Sequence, residues 1–200
     1  MILLYLLLGH LIADFLLQPS GLIKMKFKHW YGILIHVLIH LVIMGLLTMP
    51  YLLIQSSSAQ IQVFQAILLI IVSHFIIDYF KINYEKKHRK YFMAFWLDQF
   101  SHYTIIAGTS MLIPSLVQPA AFEGFFPKLL LQVYLNPLML VYCIGLVFLS
   151  FTIEISGFER LREKNSSQTL HFHRKNMLKR VIAFSSLYLL LLFFITFIHN

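Results

Sequence analysis

Long apolar stretches alternate with short polar connectors along this chain. A helix needs about 20 predominantly apolar residues to cross a bilayer, with a range of about 17–25. Six stretches come close to that length, and they run over residues 1–17, 31–54, 61–83, 92–116, 137–157 and 178–198. The pattern predicts an all-α, polytopic membrane protein with six transmembrane helices.

The connectors and helix starts suggest how the chain is organised. Asn136 followed by Pro137 is typical of a helix start, which predicts where the fifth span begins. Residues 125–135 are apolar but too short to span, so we expect an interfacial segment there. We predict three regions: a four-helix bundle over 1–117, an external connector over 118–136, and two further transmembrane helices over 137–200.

Composition agrees with a membrane protein. The chain is 59% hydrophobic and only 12% charged, whereas soluble proteins carry about 25% charged residues. The formal net charge of +8 comes from lysines and arginines in the connectors, so membrane orientation explains it better than nucleic-acid binding. The single cysteine, Cys143, excludes a disulfide framework and a thiolate metal cluster.

The basic residues also predict an orientation. Connectors one, three and five carry three, five and seven lysines or arginines. Connector four has one, while connector two and both ends have none. Because cytoplasmic loops are enriched in these residues, connectors one, three and five are expected in the cytoplasm, with both termini outside.

Four pairs of histidine or aspartate, each spaced by four residues, lie within the first four apolar stretches. They are His10/Asp14, His36/His40, His74/Asp78 and Asp98/His102. Residues four apart share one helix face, so each pair presents two metal-ligand side chains in one direction. An ionisable group at mid-bilayer costs roughly 2.5–3.5 kcal/mol, so these aspartates must be paired, protonated or bound to metal.

The predicted topology places all eight residues at one depth, roughly 6–15 Å below the cytoplasmic boundary at 1.5 Å per residue. They form two layers. Asp14, His36, Asp78 and Asp98 are nearer the cytoplasm, and His10, His40, His74 and His102 are deeper. Four antiparallel helices can direct these groups into one bundle core, which makes all eight candidate metal ligands.

A divalent metal is the expected cofactor. Mixed histidine and carboxylate sets suit Zn, Fe or Mn, with Zn preferred. Three carboxylates and one hydroxide would balance two divalent ions, whereas three carboxylates with a single ion and no hydroxide would keep one negative charge. Some aspartates could instead not bind the metal and orient the metal-binding imidazoles through hydrogen bonds. The plainer interpretation of any single pair is a hydrogen-bonded histidine that only packs.

Further polar residues extend these helix faces toward the cytoplasm. Gln18, His29 and Lys81 are candidate substrate contacts, with Lys81 the best placed to bind phosphate. The alternative is that the lysine merely extends its ammonium group to the membrane surface. Glu154 is a candidate ligand or proton carrier, or else a helix-end partner of Arg160 or Arg162.

Four ordered strings identify a resemblance. HLIADFLLQP, HVLIH, HFIIDYFK and LDQFSH, within about the first 110 residues, resemble the bacterial membrane proteins grouped as domain of unknown function family 3307. The resemblance implies a bacterial inner-membrane protein and brings no established activity. The His/Asp helices are also similar in style to the LexA-regulated membrane-bound metal-dependent hydrolases.

Three functional hypotheses follow. The leading one is a membrane-embedded, metal-dependent hydrolase that acts near the cytoplasmic face on a phosphate-containing or lipid substrate, with Asp14, Asp78 and Asp98 as candidate catalytic residues. The second is a divalent metal-ion transporter or channel. The third is a structural or regulatory protein whose buried His/Asp network fixes the helix register.

Overall fold

The computed structural model describes residues 2–54, 56–113, 137–152, 155–156 and 159. These residues are helical and contain no strand, which confirms the all-α prediction for them. The helices are α1 Ile2–Leu11, α2 Ser20–Lys28, α3 Trp30–Ile54, α4 Ser57–His88, α5 Tyr91–Met111 and α6 Pro137–Val147. Helices α1 and α6 continue into π-helical turns, Ile12–Leu16 and Phe148–Thr152.

The boundaries of α3 and the start of α6 follow the apolar pattern, whereas α4 extends beyond its predicted range at both ends. Helix α3 begins one residue before its predicted start, and α6 begins at Pro137 as predicted. Helix α4 ends where Arg89 adopts a left-handed conformation (φ 54°) and its N–H donates to the Glu85 carbonyl oxygen at 3.0 Å. Only Arg89 and Lys90 separate α4 from α5, so the two helices are antiparallel neighbours.

Helices α1, α3, α4 and α5 form the predicted four-helix bundle. Helix α1 packs against α3 and α5, and α4 packs against the same two helices, so the four surround one core. Helix α6 packs on the outer side of α1. The bundle agrees with the helix order predicted from the sequence and brings the four His/Asp pairs toward a common axis.

The prediction of six membrane spans is not supported. Among the described residues, Trp30–Met49 and Ser57–His88 are long and apolar enough to cross a membrane. A third span results if Ile2–Leu16 and Gly21–Lys28, bent by 92°, form one broken span. Helix α5 falls short because buried polar residues such as Asp98, Gln99 and His102 lower its mean hydropathy. The predicted sixth span, the interfacial segment 125–135 and the boundaries between the three regions lie outside the described residues.

Connector one, which we expected only to link two spans, contains helix α2. Leu22 and Lys26 are buried on one face of α2, whereas Lys24 and Lys28 are exposed. The backbone of α2 lies directly against Gly32 of α3, where an added Cβ would be 2.5 Å from the Lys26 nitrogen. The missing side chain of Gly32 therefore allows α2 to pack close to the bundle.

Candidate metal centre

The four deeper histidines meet in the core of the bundle, one from each helix. The ring centroids of His40 and His74 are 4.0 Å apart, and those of His74 and His102 are 3.9 Å apart. The His10 ring lies 5.1–5.4 Å from the other three. None of the four is more than 2% exposed.

The residues of the shallower layer adjoin this cluster. His36 Nε2 lies 2.9 Å from Asp14 Oδ1 and 3.7 Å from Asp78 Oδ2. Asp98 Oδ1 lies 3.2 Å from His102 Nε2. The structure thus brings together all eight predicted residues from four helices, and the predicted convergence is confirmed.

Four ligand atoms converge most closely: Asp14 Oδ1 and the Nε2 atoms of His36, His40 and His74. Asp14 Oδ1 is 2.9, 3.0 and 3.6 Å from these three nitrogens, taken in the same order. His36 Nε2 is 3.2 Å from each of the other two nitrogens. Zinc bonds of about 2.0–2.1 Å in a tetrahedron place neighbouring ligand atoms about 3.3 Å apart, so the spacing fits a tetrahedral ion.

Hydrogen bonds alone cannot account for all the close contacts among these four atoms. A neutral imidazole carries one proton in total, so the Nε2 atom of His36 can donate to only one partner. Yet that atom has two imidazole nitrogens and a carboxylate oxygen within 3.2 Å. A cation at the centre would satisfy all four ligand atoms at once, so the group is suited to hold a metal ion.

A second, looser group is formed by His74, Asp78 and His102, whose ligand atoms all lie within 4.8 Å of one another. His74 Nε2 is 3.9 Å from Asp78 Oδ2, and His102 Nε2 is 3.9 Å from Asp78 Oδ1. Because His74 belongs to both groups, the two are adjacent, and one imidazole cannot use the same nitrogen for two ions.

Two of the predicted ligands fall outside both groups. Asp98 accepts hydrogen bonds from Lys81 Nζ at 2.9 Å and Gln99 Nε2 at 3.2 Å while it faces His102. This arrangement fits a carboxylate that orients an imidazole. His10 is fully buried, and its Nε2 lies 3.5 Å from Asp14 Oδ2, so it borders the first group.

Three residues near the centre were missed by the sequence analysis. Gln99 Nε2 donates to Asp14 Oδ2 at 3.0 Å, and the Tyr103 hydroxyl donates to Gln99 Oε1 at 2.9 Å. Gln99 and Tyr103 are themselves four residues apart, so the spacing that revealed the pairs could have revealed them. Lys26 Nζ lies 2.5 Å from Asp78 Oδ2, whereas the sequence predicts only that this lysine of connector one helps to set the membrane orientation.

The predicted substrate contacts have different environments. Gln18 borders the site: with its amide oxygen facing Lys26 it accepts from Lys26 Nζ at 2.8 Å and donates to the Asp14 carbonyl oxygen at 3.3 Å. Lys81 pairs with Asp98, and its side chain remains 23% exposed. His29 is exposed and stacks on Tyr31 with ring centroids 4.8 Å apart. Glu154 lies outside the described residues.

An apolar layer closes the far side of the cluster. One helical turn beyond each deep histidine lies a buried apolar side chain, and these are Leu6, Met44, Ile70 and Ile106. All four belong to one hydrophobic core. The polar cluster is therefore a cup that is closed on this side and bordered on the other by Gln18, Lys26 and Lys81.

The comparisons with known proteins agree with the resemblance. The family model described as "Protein of unknown function (DUF3307)" matches residues 2–123, a range that contains all eight His/Asp positions. No curated protein and no solved structure matches the chain. The similarity to the LexA-regulated hydrolases stays a prediction. Because the matched range covers more than half of the 200 residues, the chain belongs to the DUF3307 family.

Proposed function

We propose that this protein is a membrane-embedded, metal-dependent hydrolase whose metal ion is held by Asp14, His36, His40 and His74. The observation that carries the proposal is the convergence of one carboxylate oxygen and three imidazole nitrogens at tetrahedral spacing. Three imidazoles and a carboxylate favour Zn²⁺, with Fe or Mn as alternatives.

The membrane placement is part of the proposal. Lys26, Lys81 and the basic end of α4 border the open side of the cup, and lysine-rich ends favour the cytoplasmic side of a membrane. We place the cup at the cytoplasmic face of the bacterial inner membrane, with connectors one, three and five inside and both termini outside.

The bound ion would supply Lewis acidity to a phosphoryl or acyl oxygen and lower the pKa of a coordinated water. The protein must keep one coordination position open for that role. His74 borders both ligand groups, so a turn of its ring toward Asp78 would leave Asp14, His36 and His40 as a three-ligand site. Asp78 and Asp98, which would not bind this ion, are then the candidate bases, and each is paired with a lysine.

The border of the cup favours an anionic substrate. Lys26 and Lys81 place two ammonium groups beside Asp78 and Asp98, and the Lys81 side chain is partly exposed. A phosphate ester in water or a phospholipid headgroup offers the matching charge. Gln18, whose amide oxygen accepts from Lys26, is a further candidate substrate contact at this border.

Transport receives less support from this arrangement. An ion pathway needs polar groups on both sides of the binding site, yet the layer beyond the deep histidines is apolar. Metal uptake into proteoliposomes that depends on Asp78 would nevertheless favour transport. The structural hypothesis predicts that metal chelation leaves the stability of the bundle unchanged.

Metal-dependent turnover tests the proposal. Detergent-purified protein, loaded with Zn²⁺ or stripped with a chelator, is incubated with an aryl phosphate ester and, separately, with anionic phospholipid vesicles. We expect release of product from one of the two by the loaded protein, and its loss in His40→Ala. The control His88→Ala replaces an exposed histidine outside the candidate site and should behave as wild type. Fully loaded protein that releases no product from either probe would rule out phosphate-ester hydrolysis.

A further inference from the structure

The ammonium group of Lys26 lies beside the looser ligand group. Lys26 Nζ lies 2.5 Å from Asp78 Oδ2, and Asp78 is the one carboxylate of the group formed with His74 and His102. We propose that Lys26 is a tethered cation that occupies a second, latent divalent-metal site made by His74, Asp78 and His102, and so limits the protein to one ion. When that site is filled, His74 turns to the second ion, and Asp14, His36 and His40 keep the first. This inference rests on the proposed metal centre.

Charge balance supports one ion rather than two. The charge balance predicted from the sequence counted only the three aspartates and a hydroxide, and it suggested two divalent ions. The structure adds the ammonium groups of Lys26 and Lys81, which pair with Asp78 and Asp98. Three carboxylates and two ammonium groups leave one negative charge, and one divalent ion with one hydroxide then makes the buried cluster neutral. A second divalent ion would leave two uncompensated positive charges in the interior.

Lys26 and a second divalent ion would also compete for the same position beside Asp78. The ammonium group of Lys26 is close to the oxygen of Asp78 that faces His74 and His36. A divalent ion bound between His74, Asp78 and His102 would lie within a few ångströms of that ammonium group. Two cations so close in a dry interior repel each other strongly. Lys26 must therefore leave before a metal ion can enter.

The fold holds Lys26 in this position. The residue is 8% exposed although it lies in a connector helix, while the neighbouring Lys24 and Lys28 are exposed. Leu22, one turn earlier, is buried on the same face. Close packing of α2 on Gly32 brings the Lys26 backbone against α3. The side chain thus reaches the cluster from a position fixed by packing.

Metal stoichiometry tests the inference. Wild type, Lys26→Met and the control Lys28→Met are purified in detergent, equilibrated with excess Zn²⁺, freed of unbound metal and analysed for ions per chain. We expect about one ion in wild type and in Lys28→Met, and about two in Lys26→Met. The double variant Lys26→Met/Asp78→Asn should return to about one, because the latent site then lacks its carboxylate.

Each outcome separates the inference from the proposed function. One ion in wild type and still one in folded Lys26→Met would overturn the tethered cation but leave the metal centre intact. Two ions in wild type would by themselves overturn the tethered-cation inference, whatever the variants bind. No ion in wild type would overturn the metal centre itself, and the inference with it. If Lys26→Met does not fold, Lys26→Gln carries the same expectation with a polar side chain.

Discussion

Gln99 donates a hydrogen bond from Nε2 to Asp14 Oδ2 at 3.0 Å, across 85 positions of sequence. The other oxygen of Asp14 is thereby directed toward His36 and His40, which lie 2.9 and 3.0 Å away. The Tyr103 hydroxyl fixes the amide of Gln99 in turn. Asp14 is therefore held in the orientation of a ligand that uses a single oxygen.

Replacing Gln99 should weaken metal binding without removing a ligand. In Gln99→Leu, Asp14 Oδ2 loses its donor and the carboxylate can rotate, so we expect the Zn²⁺ affinity to fall about 10- to 100-fold. Competition with a fluorescent chelator measures the affinity. Gln65→Leu, an exposed position on α4, is the matched control and should bind as wild type. Equal affinities for the two variants would show that Gln99 does not orient the ligand.

Gly32 should be intolerant of a side chain. A Cβ at this position would lie 2.5 Å from the Lys26 nitrogen and the Met25 carbonyl carbon, which are backbone atoms and cannot rotate away. Gly32→Ala is expected to cost about 1–3 kcal/mol of stability, measured by unfolding in mixed detergent.

The control for Gly32 lies on the same helix. A Cβ at Gly45 would meet nothing within 4 Å, so Gly45→Ala should gain about 0.5–1 kcal/mol from helix propensity. If both variants unfold at the same denaturant concentration, α2 does not pack on α3 as closely as described.

Lys81 should stabilise the buried Asp98 carboxylate. The two groups are 2.9 Å apart, and the Asp98 side chain is only 2% exposed. Lys81→Met leaves a buried charge without its cation, so we expect a loss of about 3 kcal/mol. Lys87→Met, an exposed position on the same helix, should stay within about 0.5 kcal/mol of wild type.

A double variant separates this pair from general packing effects. Asp98→Asn removes the charge that Lys81 compensates, so Lys81→Met should cost less in that background than in wild type. Strict additivity of the two substitutions would mean that the ion pair contributes nothing to stability.

Periodicity predicted the bundle and its polar core well. Side chains four residues apart share a helix face whatever the helix packs against, so pairs such as His36/His40 revealed their common direction directly. The boundaries of α3 followed from its apolar run to within one residue, and the start of α6 followed from Pro137. The number of spans did not follow: the stretch 92–116 correctly predicted a helix, but α5 is too polar to count as a span.

Contacts between distant elements were not predictable in the same way. Lys26 sits in a connector, and its pairing with Asp78 depends on the 92° bend between α1 and α2 and on the close packing at Gly32. The apolar pattern likewise does not predict the π-helical turn around Asp14. In that turn the Leu17 N–H donates to the Ile12 carbonyl oxygen, five residues earlier. The sequence thus predicted which residues share a helix face, but not that α2 would bring Lys26 to the cluster.

The most direct test of the metal centre is the metal content of purified protein, measured by elemental analysis of wild type beside His36→Ala and His29→Ala. Both variants lose one imidazole, but only His36 lies among the converging ligand atoms. We predict about one divalent ion per chain in wild type and in His29→Ala, and a loss of most of it in His36→Ala. Equal metal content in all three proteins, or none in any, would contradict the proposed centre.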